Sequence, residues 1–163
     1  MTSRAKAQFD PASVEAAKQK ALSLLDRRDY SRAELLQKLA EKGYTDAAAA
    51  DAVDRLVELG FVDDARYAPI VVRHYAAKGY GAQRVRDELR RRGIPKELWD
   101  AAMAEMPAQD ETVDRLLRAR LRGADPGDRA ACKRAADALL RRGYGWDEIG
   151  AAMERLRAEL EDT

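Results

Sequence analysis

Few residues of this sequence have the side-chain chemistry that catalysis or metal binding requires. His74 is the only histidine and Cys132 the only cysteine among the 163 residues. A nucleophilic triad needs a histidine beside its nucleophile, and a structural zinc site needs four soft ligands. His74 falls on the apolar face of a predicted helix, which favours a core residue, and Cys132 lies in an alanine-rich segment. The sequence therefore predicts neither an enzyme nor a metal or cofactor site.

Two short motifs could be mistaken for ligand sites. Gly79-Tyr-Gly81 resembles a nucleotide-binding loop, but Arg84 stands where the third glycine belongs and no strand precedes it. A turn between helices is the better interpretation. Asp63 and Asp64 could ligate a metal, yet two adjacent acids before a helix more simply cap it and favour its dipole.

Basic residues are the remaining candidates, because they are segregated along the chain although the net charge is only +1. Arginines near helix C-termini also complement the helix dipole, so a structural role stays open for each. A further run, Arg115, Arg118, Arg120 and Arg122, cannot lie on one face of a helix. The predicted partner-binding residues are Arg84, Arg86, Arg90, Arg91, Arg92, Lys96, Lys133, Arg134, Arg141 and Arg142.

An internal repeat decides which elements carry these residues. Glycines recur every 50 residues, and each has a leucine four positions upstream. The matching positions continue on both sides without a gap, which is the signature of a helical-repeat protein. The anchors of the repeat are Gly43, Gly93 and Gly143 with Leu39, Leu89 and Leu139.

Each repeat is predicted to contain three helices. Ser31 and Glu34 form a capping box for the second helix of the first repeat, and Asp63 or Asp64 can cap the helix that follows. Pro69 falls inside that helix, so we expect a late start or a bend. Short helices are marginal alone and must pack on their neighbours. We predict an all-α fold of three tandem three-helix repeats, at 11–60, 61–106 and 107–160, forming an elongated, curved helical-repeat architecture.

Several segments closely resemble the RecX family. The central one is Leu59-Gly-Phe-Val-Asp-Asp-Ala-Arg-Tyr-Ala68, followed by Lys78-Gly-Tyr-Gly81 and Glu88-Leu-Arg-Arg-Arg-Gly-Ile-Pro95. The first repeat adds Tyr30-Ser-Arg-Ala-Glu-Leu-Leu-Gln-Lys-Leu39 and Gly43-Tyr44. The resemblance extends from about residue 14 to 158 and is loosest in the third repeat.

The resemblance implies a cytoplasmic regulator of RecA. Such proteins bind the RecA–single-stranded DNA filament and usually restrain its ATP hydrolysis, strand exchange and coprotease activity. The expected partners are the RecA filament and single-stranded DNA, contacted directly or through the filament, with no membrane and a monomeric chain. A single cysteine cannot form an internal disulfide, which fits a reducing compartment. Two alternatives stay open: direct DNA binding by helix-turn-helix-like units, and a generic helical scaffold.

Overall fold

The computed structural model describes residues 8–125 and 127–163, and all regular elements in these two ranges are helical. This confirms the predicted all-α fold. The elements are α1 (Val14–Leu25), α2 (Arg32–Glu41), α3 (Asp46–Glu58), α4 (Asp64–Ala77), α5 (Ala82–Arg91), a 3-10 helix (Lys96–Leu98), α6 (Trp99–Met103), α7 (Asp110–Leu121), α8 (Arg129–Arg141) and α9 (Trp146–Glu161).

Several helices begin where a side-chain oxygen accepts from the first free N–H groups. The Ser31 hydroxyl accepts from the Glu34 N–H at 3.0 Å, and the Glu34 carboxylate accepts from the Ser31 N–H, which confirms the capping box. The Asp63 carboxylate accepts from the Arg66 N–H at 3.1 Å in the first turn of α4. The carboxylate of Asp64 accepts instead from the Arg32 N–H at 2.9 Å, so it caps α2.

Two compact units divide the chain. Unit 1 comprises the residues up to Tyr67 together with Arg92–Pro95, and unit 2 comprises Ala68–Arg91 and Lys96–Thr163. These units join parts of neighbouring predicted repeats, so the ranges 11–60, 61–106 and 107–160 stay predictions.

Each unit has an apolar core built from helix faces at the predicted spacing. Burial of these side chains is the main favourable term that holds short helices together. The buried residues of unit 1 include Ala17, Ala21, Leu35, Leu39, Ala52, Val53 and Leu56. Those of unit 2 include Val113, Leu117, Ala135, Leu139, Tyr144, Ile149 and Ala152.

Helix α4 differs from its prediction in two respects. It begins at Asp64, five residues before Pro69, so the expected late start was wrong. His74 is exposed and was wrongly placed in the core; its ring contacts that of Tyr75 edge-on at 5.2 Å. The buried side chains of α4 are those of Tyr67, Ala68, Val71, Val72 and Ala76.

Candidate partner-binding surfaces

Arg92, the residue after α5, contacts the start of α2 within unit 1 and is only partly exposed. We call such a contact between the end of one helix and the beginning of another a joint. The Ser31 hydroxyl at the start of α2 donates a hydrogen bond to the Arg92 carbonyl. The Arg92 guanidinium donates to the Tyr67 hydroxyl, which also accepts from Arg28 at 3.1 Å. Burial raises the pKa of Tyr67, so the phenol stays neutral and can accept from both cations. The Arg92 side chain therefore has a structural role at this joint, and its predicted role in partner binding stays a prediction.

A corresponding joint lies inside unit 2, one repeat further along the chain. The Gly81 N–H donates to the Arg142 carbonyl at 2.8 Å, and the Gln83 N–H donates to the Gly143 carbonyl at 3.1 Å. A Cβ on Gly81 would overlap the backbone of Gly143 and Tyr144, so only glycine permits this approach. The end of α8 thus docks on the beginning of α5 through main-chain atoms.

The structure brings Arg84 and Arg142 together at this second joint. Their guanidinium carbons lie 5.3 and 4.8 Å from the centre of the Tyr80 ring, within the range of cation–π attraction. The Arg142 guanidinium also donates to the carbonyls of Lys78 and Gly79, at 2.8 and 3.1 Å. Both arginines are therefore held by contacts within unit 2.

Tyr144 closes the same joint. Its side chain is 2% exposed, and its hydroxyl donates to the Gly79 carbonyl at 2.7 Å. Burial raises the pKa of Tyr144, so the hydroxyl remains a donor at neutral pH. Replacing Tyr144 by phenylalanine is expected to lower the free energy of unfolding by about 1 kcal/mol, because Arg142 still satisfies the carbonyl. Urea denaturation measures this loss.

Tyr30→Phe provides the control for that measurement, because no hydrogen bond of the Tyr30 hydroxyl is found among the described residues. The control is expected to change the free energy of unfolding by less than about 0.5 kcal/mol. Equal losses in the two variants would show that the Tyr144 hydroxyl contributes nothing specific.

Two of the arginines on α5 lie beside a buried carboxylate, that of Glu88. Its side chain is 4% exposed, and its carboxylate lies 3.7 Å from Arg84 and 3.2 Å from Arg91. A buried carboxylate needs neighbouring cations, because desolvation disfavours its charge. Arg91 nevertheless keeps 71% of its side chain exposed, so it can support Glu88 and still meet a partner.

The outer face of α5 carries two further predicted residues. Arg86 and Arg90 are one helical turn apart and exposed. Arg90 pairs with Asp87 at 2.9 Å and lies 5.2 Å from the centre of the Trp99 ring. Arg86 makes no ion pair with a described residue, and Lys96 is exposed at the start of the 3-10 helix.

Helix α8 presents the other predicted cluster in unit 2. Lys133 pairs with Asp137 at 3.0 Å but remains 77% exposed. Arg134 and Arg141 are exposed two turns apart, and neither forms an ion pair within the described ranges. Arg86, Arg134 and Arg141 are therefore the predicted arginines that are exposed and form no ion pair with a described residue.

The third helix of each triplet has an acidic beginning, which bears on the helix-turn-helix alternative. In that motif the N-terminal residues of the recognition helix contact base edges between the phosphates. Here the first turns of α3, α6 and α9 carry Asp46, Asp100, and Asp147 with Glu148. Carboxylates at these positions would repel a DNA backbone, so this arrangement disfavours duplex binding through these helices.

The structure adds Trp146, which the sequence analysis did not single out. It is the first residue of α9 and is 65% exposed. The sequence feature that could have indicated it is the repeat interval, because Trp146 stands at the position of Asp46 and Lys96 in the other predicted repeats. Exposed tryptophan and arginine are over-represented among residues that dominate protein interfaces.

Neither a metal cluster nor a membrane-spanning helix is found in the described ranges. No group of three or more histidine, cysteine, aspartate or glutamate side chains is placed to hold a metal ion there. None of the helices in those ranges is sufficiently long and apolar to cross a bilayer.

Comparison with known proteins identifies two of the helical triplets. The family model of the first three-helix domain of RecX matches residues 17–56. The model of the second three-helix domain matches residues 63–103. These ranges contain the joint residues Ser31 and Arg92, as well as the basic helix α5.

Full-length relatives and a solved structure agree with these matches. A regulatory protein RecX of Xanthomonas axonopodis pv. citri is 42% identical over 145 residues, covering 88% of each chain. One from Stenotrophomonas maltophilia is 44% identical over 135 residues, covering 82% of this chain and 83% of that protein. The crystal structure of RecX from Lactobacillus salivarius matches in fold with a TM-score of 0.80 at 20% identity, covering 89% of this chain and 97% of that one. With the family models and these relatives in agreement over most of its length, the chain belongs to the RecX family.

Proposed function

We propose that this protein binds the RecA–single-stranded DNA filament and restrains RecA ATP hydrolysis, strand exchange and coprotease activity. It acts in the cytoplasm as a monomer and performs no bond chemistry of its own. The filament is recognised through exposed cations on α5 and α8, and Trp146 adds apolar contact area.

The observation that carries this proposal is a group of exposed arginines in unit 2 that form no ion pair with the described residues, in a chain of the RecX family. Arg86, Arg134 and Arg141 are exposed and make no ion pair with the described residues. Exposed, unpaired arginines cost little to desolvate partially and can pair with carboxylates or phosphates of a partner. Repeated binding elements on one chain can also engage neighbouring copies in a polymer, which raises the overall affinity.

A RecA ATPase assay on single-stranded DNA tests the proposal directly. Added protein is expected to lower the rate of ATP hydrolysis. Inhibition far below one copy per RecA would indicate that filament ends are capped, while inhibition near equal amounts would indicate binding along the filament. An unchanged rate at excess protein, with no co-sedimentation, would contradict the proposal.

A triple variant identifies the binding surface. Arg86→Gln, Arg134→Gln and Arg141→Gln together are expected to raise the inhibitory concentration about tenfold or more, corresponding to about 1.4 kcal/mol of binding free energy. Arg84, Arg92 and Arg142 are left intact because they hold the joints described above.

The matched control removes the same charge from unit 1. Arg27, Lys42 and Arg66 are exposed and form no ion pair with a described residue. Changing these three to glutamine is expected to leave the inhibitory concentration within about twofold of wild type. If both triple variants lose inhibition equally, net charge decides the effect and the assignment to α5 and α8 is wrong.

A further inference from the structure

A cleft in unit 2, between the end of α7 and the first half of α8, gathers arginines without acids. Its volume is about 390 Å³. Arg120 and Arg122 line it from the α7 side, and Arg134 lines it from α8. The other lining residues are glycine and alanine, so its walls offer no competing polar side chain.

None of the three arginines forms an ion pair with a residue in the described ranges. Other arginines of unit 2 do find acids: Arg155 lies 2.7 Å from Asp114, and Arg118 pairs with Glu159. The acids nearest in sequence are engaged with the backbone. Asp125 accepts from the Gly127 N–H at 2.9 Å, and Asp128 accepts from the first N–H groups of α8 at 3.0 and 3.2 Å.

The helix dipole explains only part of this arrangement. Arg120 lies in the last turn of α7 and Arg122 is its C-cap, where cations are favourable. Arg134 lies in the N-terminal half of α8, where a cation gains nothing from the dipole of its own helix. Three guanidinium groups around one cleft repel one another, and a bound anion would reverse the sign of that interaction.

We propose that this cleft binds phosphate groups. Guanidinium groups donate in a planar fork that matches phosphate oxygens, and three of them can share one or two such groups. Two sources offer this chemistry: the backbone of single-stranded nucleic acid and free phosphate compounds. The site shares Arg134 with the surface proposed to bind RecA, so it deepens that proposal, but phosphate binding in the cleft requires no filament.

Fluorescence anisotropy with a labelled single-stranded oligothymidylate tests the polymeric source. Arg120→Gln, Arg122→Gln and Arg134→Gln together are expected to weaken binding about tenfold or more. The slope of log affinity against log salt is expected to fall by about 2, since each lost phosphate contact contributes about 0.7 on single strands. The control with Arg27, Lys42 and Arg66 changed to glutamine is expected to keep the wild-type affinity and slope.

Inorganic pyrophosphate and polyglutamate complete the test, with thermal unfolding as the readout. Pyrophosphate is expected to raise the unfolding temperature of the wild type and not that of the cleft variant, which supports the phosphate site. If pyrophosphate binds and the oligothymidylate does not, the ligand is a free phosphate compound. Binding of polyglutamate alone would overturn the proposal in favour of an acidic peptide. Wild-type affinity of the cleft variant for both phosphate probes would also overturn it.

The stability of the cleft variant supplies an independent check. If the arginines repel one another, the glutamine variant unfolds at the same or a higher temperature than the wild type at low salt. A lower unfolding temperature at both low and high salt would show that the arginines serve the fold, which overturns the proposal, because salt screens the interaction of Arg120 and Arg122 with the helix dipole. Because RecA is absent from all these assays, their failure leaves the proposed regulatory function untouched, and the converse also holds.

Discussion

Gly143→Ala is expected to lower the free energy of unfolding by about 2 to 5 kcal/mol. Gly143 has a φ of +97°, a conformation that costs a residue with a Cβ about 1 to 2 kcal/mol. The added Cβ would lie 3.0 Å from the Arg84 Cα and still closer to its N–H. Because backbone atoms cannot move aside as a side-chain end can, the joint between α8 and α5 must open. Urea denaturation measures the loss.

The matched control is Gly123→Ala. Gly123 has a φ of +77°, but nothing lies within 4 Å of the Cβ that alanine would add. The control therefore carries only the conformational cost, about 1 to 2 kcal/mol. The difference between the two variants isolates the close contact with Arg84. Equal losses would show that the conformation of the glycine matters and its packing does not.

Leu139→Ala is expected to cost about 2 to 5 kcal/mol, because it leaves a cavity in the core of unit 2. Leu139 is 1% exposed and belongs to the cluster formed by α7, α8 and α9. The neighbours include alanines, whose short side chains cannot extend into the vacated space. Urea denaturation followed by circular dichroism measures the effect.

Leu160→Ala is the companion variant for this measurement. Leu160 lies near the end of α9 and is 49% exposed, so its truncation removes little buried area. We expect a change below about 0.5 kcal/mol. A loss as large as that of Leu139→Ala would mean that Leu160 is buried in solution, for example against a second molecule.

The sequence predicted those features that depend on neighbouring residues. The capping box of Ser31 and Glu34 is readable because its two hydrogen bonds span only three positions. The interval between Leu39, Leu89 and Leu139 correctly indicated equivalent buried positions, and these are 0%, 0% and 1% exposed. Local hydrogen bonding and helical periodicity thus account for the all-α fold.

Features that depend on distant partners could not be predicted in this way. Arg84, Arg92 and Arg142 belong to the basic clusters by sequence, but Tyr67, Tyr80 and main-chain carbonyls engage them in the structure. These contacts join residues as much as 64 positions apart. Charge and spacing cannot separate such arginines from Arg86, Arg134 and Arg141, which stay free of ion pairs among the described residues.

The position of His74 on α4 was misjudged for a related reason. Both possible stripes contain apolar residues at helical spacing, so periodicity alone did not decide between them. The structure buries Val72 and exposes His74. Which of two similar faces is covered depends on packing partners, and these are absent from a local pattern.

The main-chain character of the joint in unit 2 has a consequence for how the sequence can change over evolutionary time. Two of its hydrogen bonds, from the Gly81 N–H to the Arg142 carbonyl and from the Gln83 N–H to the Gly143 carbonyl, use no side-chain atom. Exposed positions of α8 can therefore change without disturbing the attachment, provided that Gly81 and Gly143 persist.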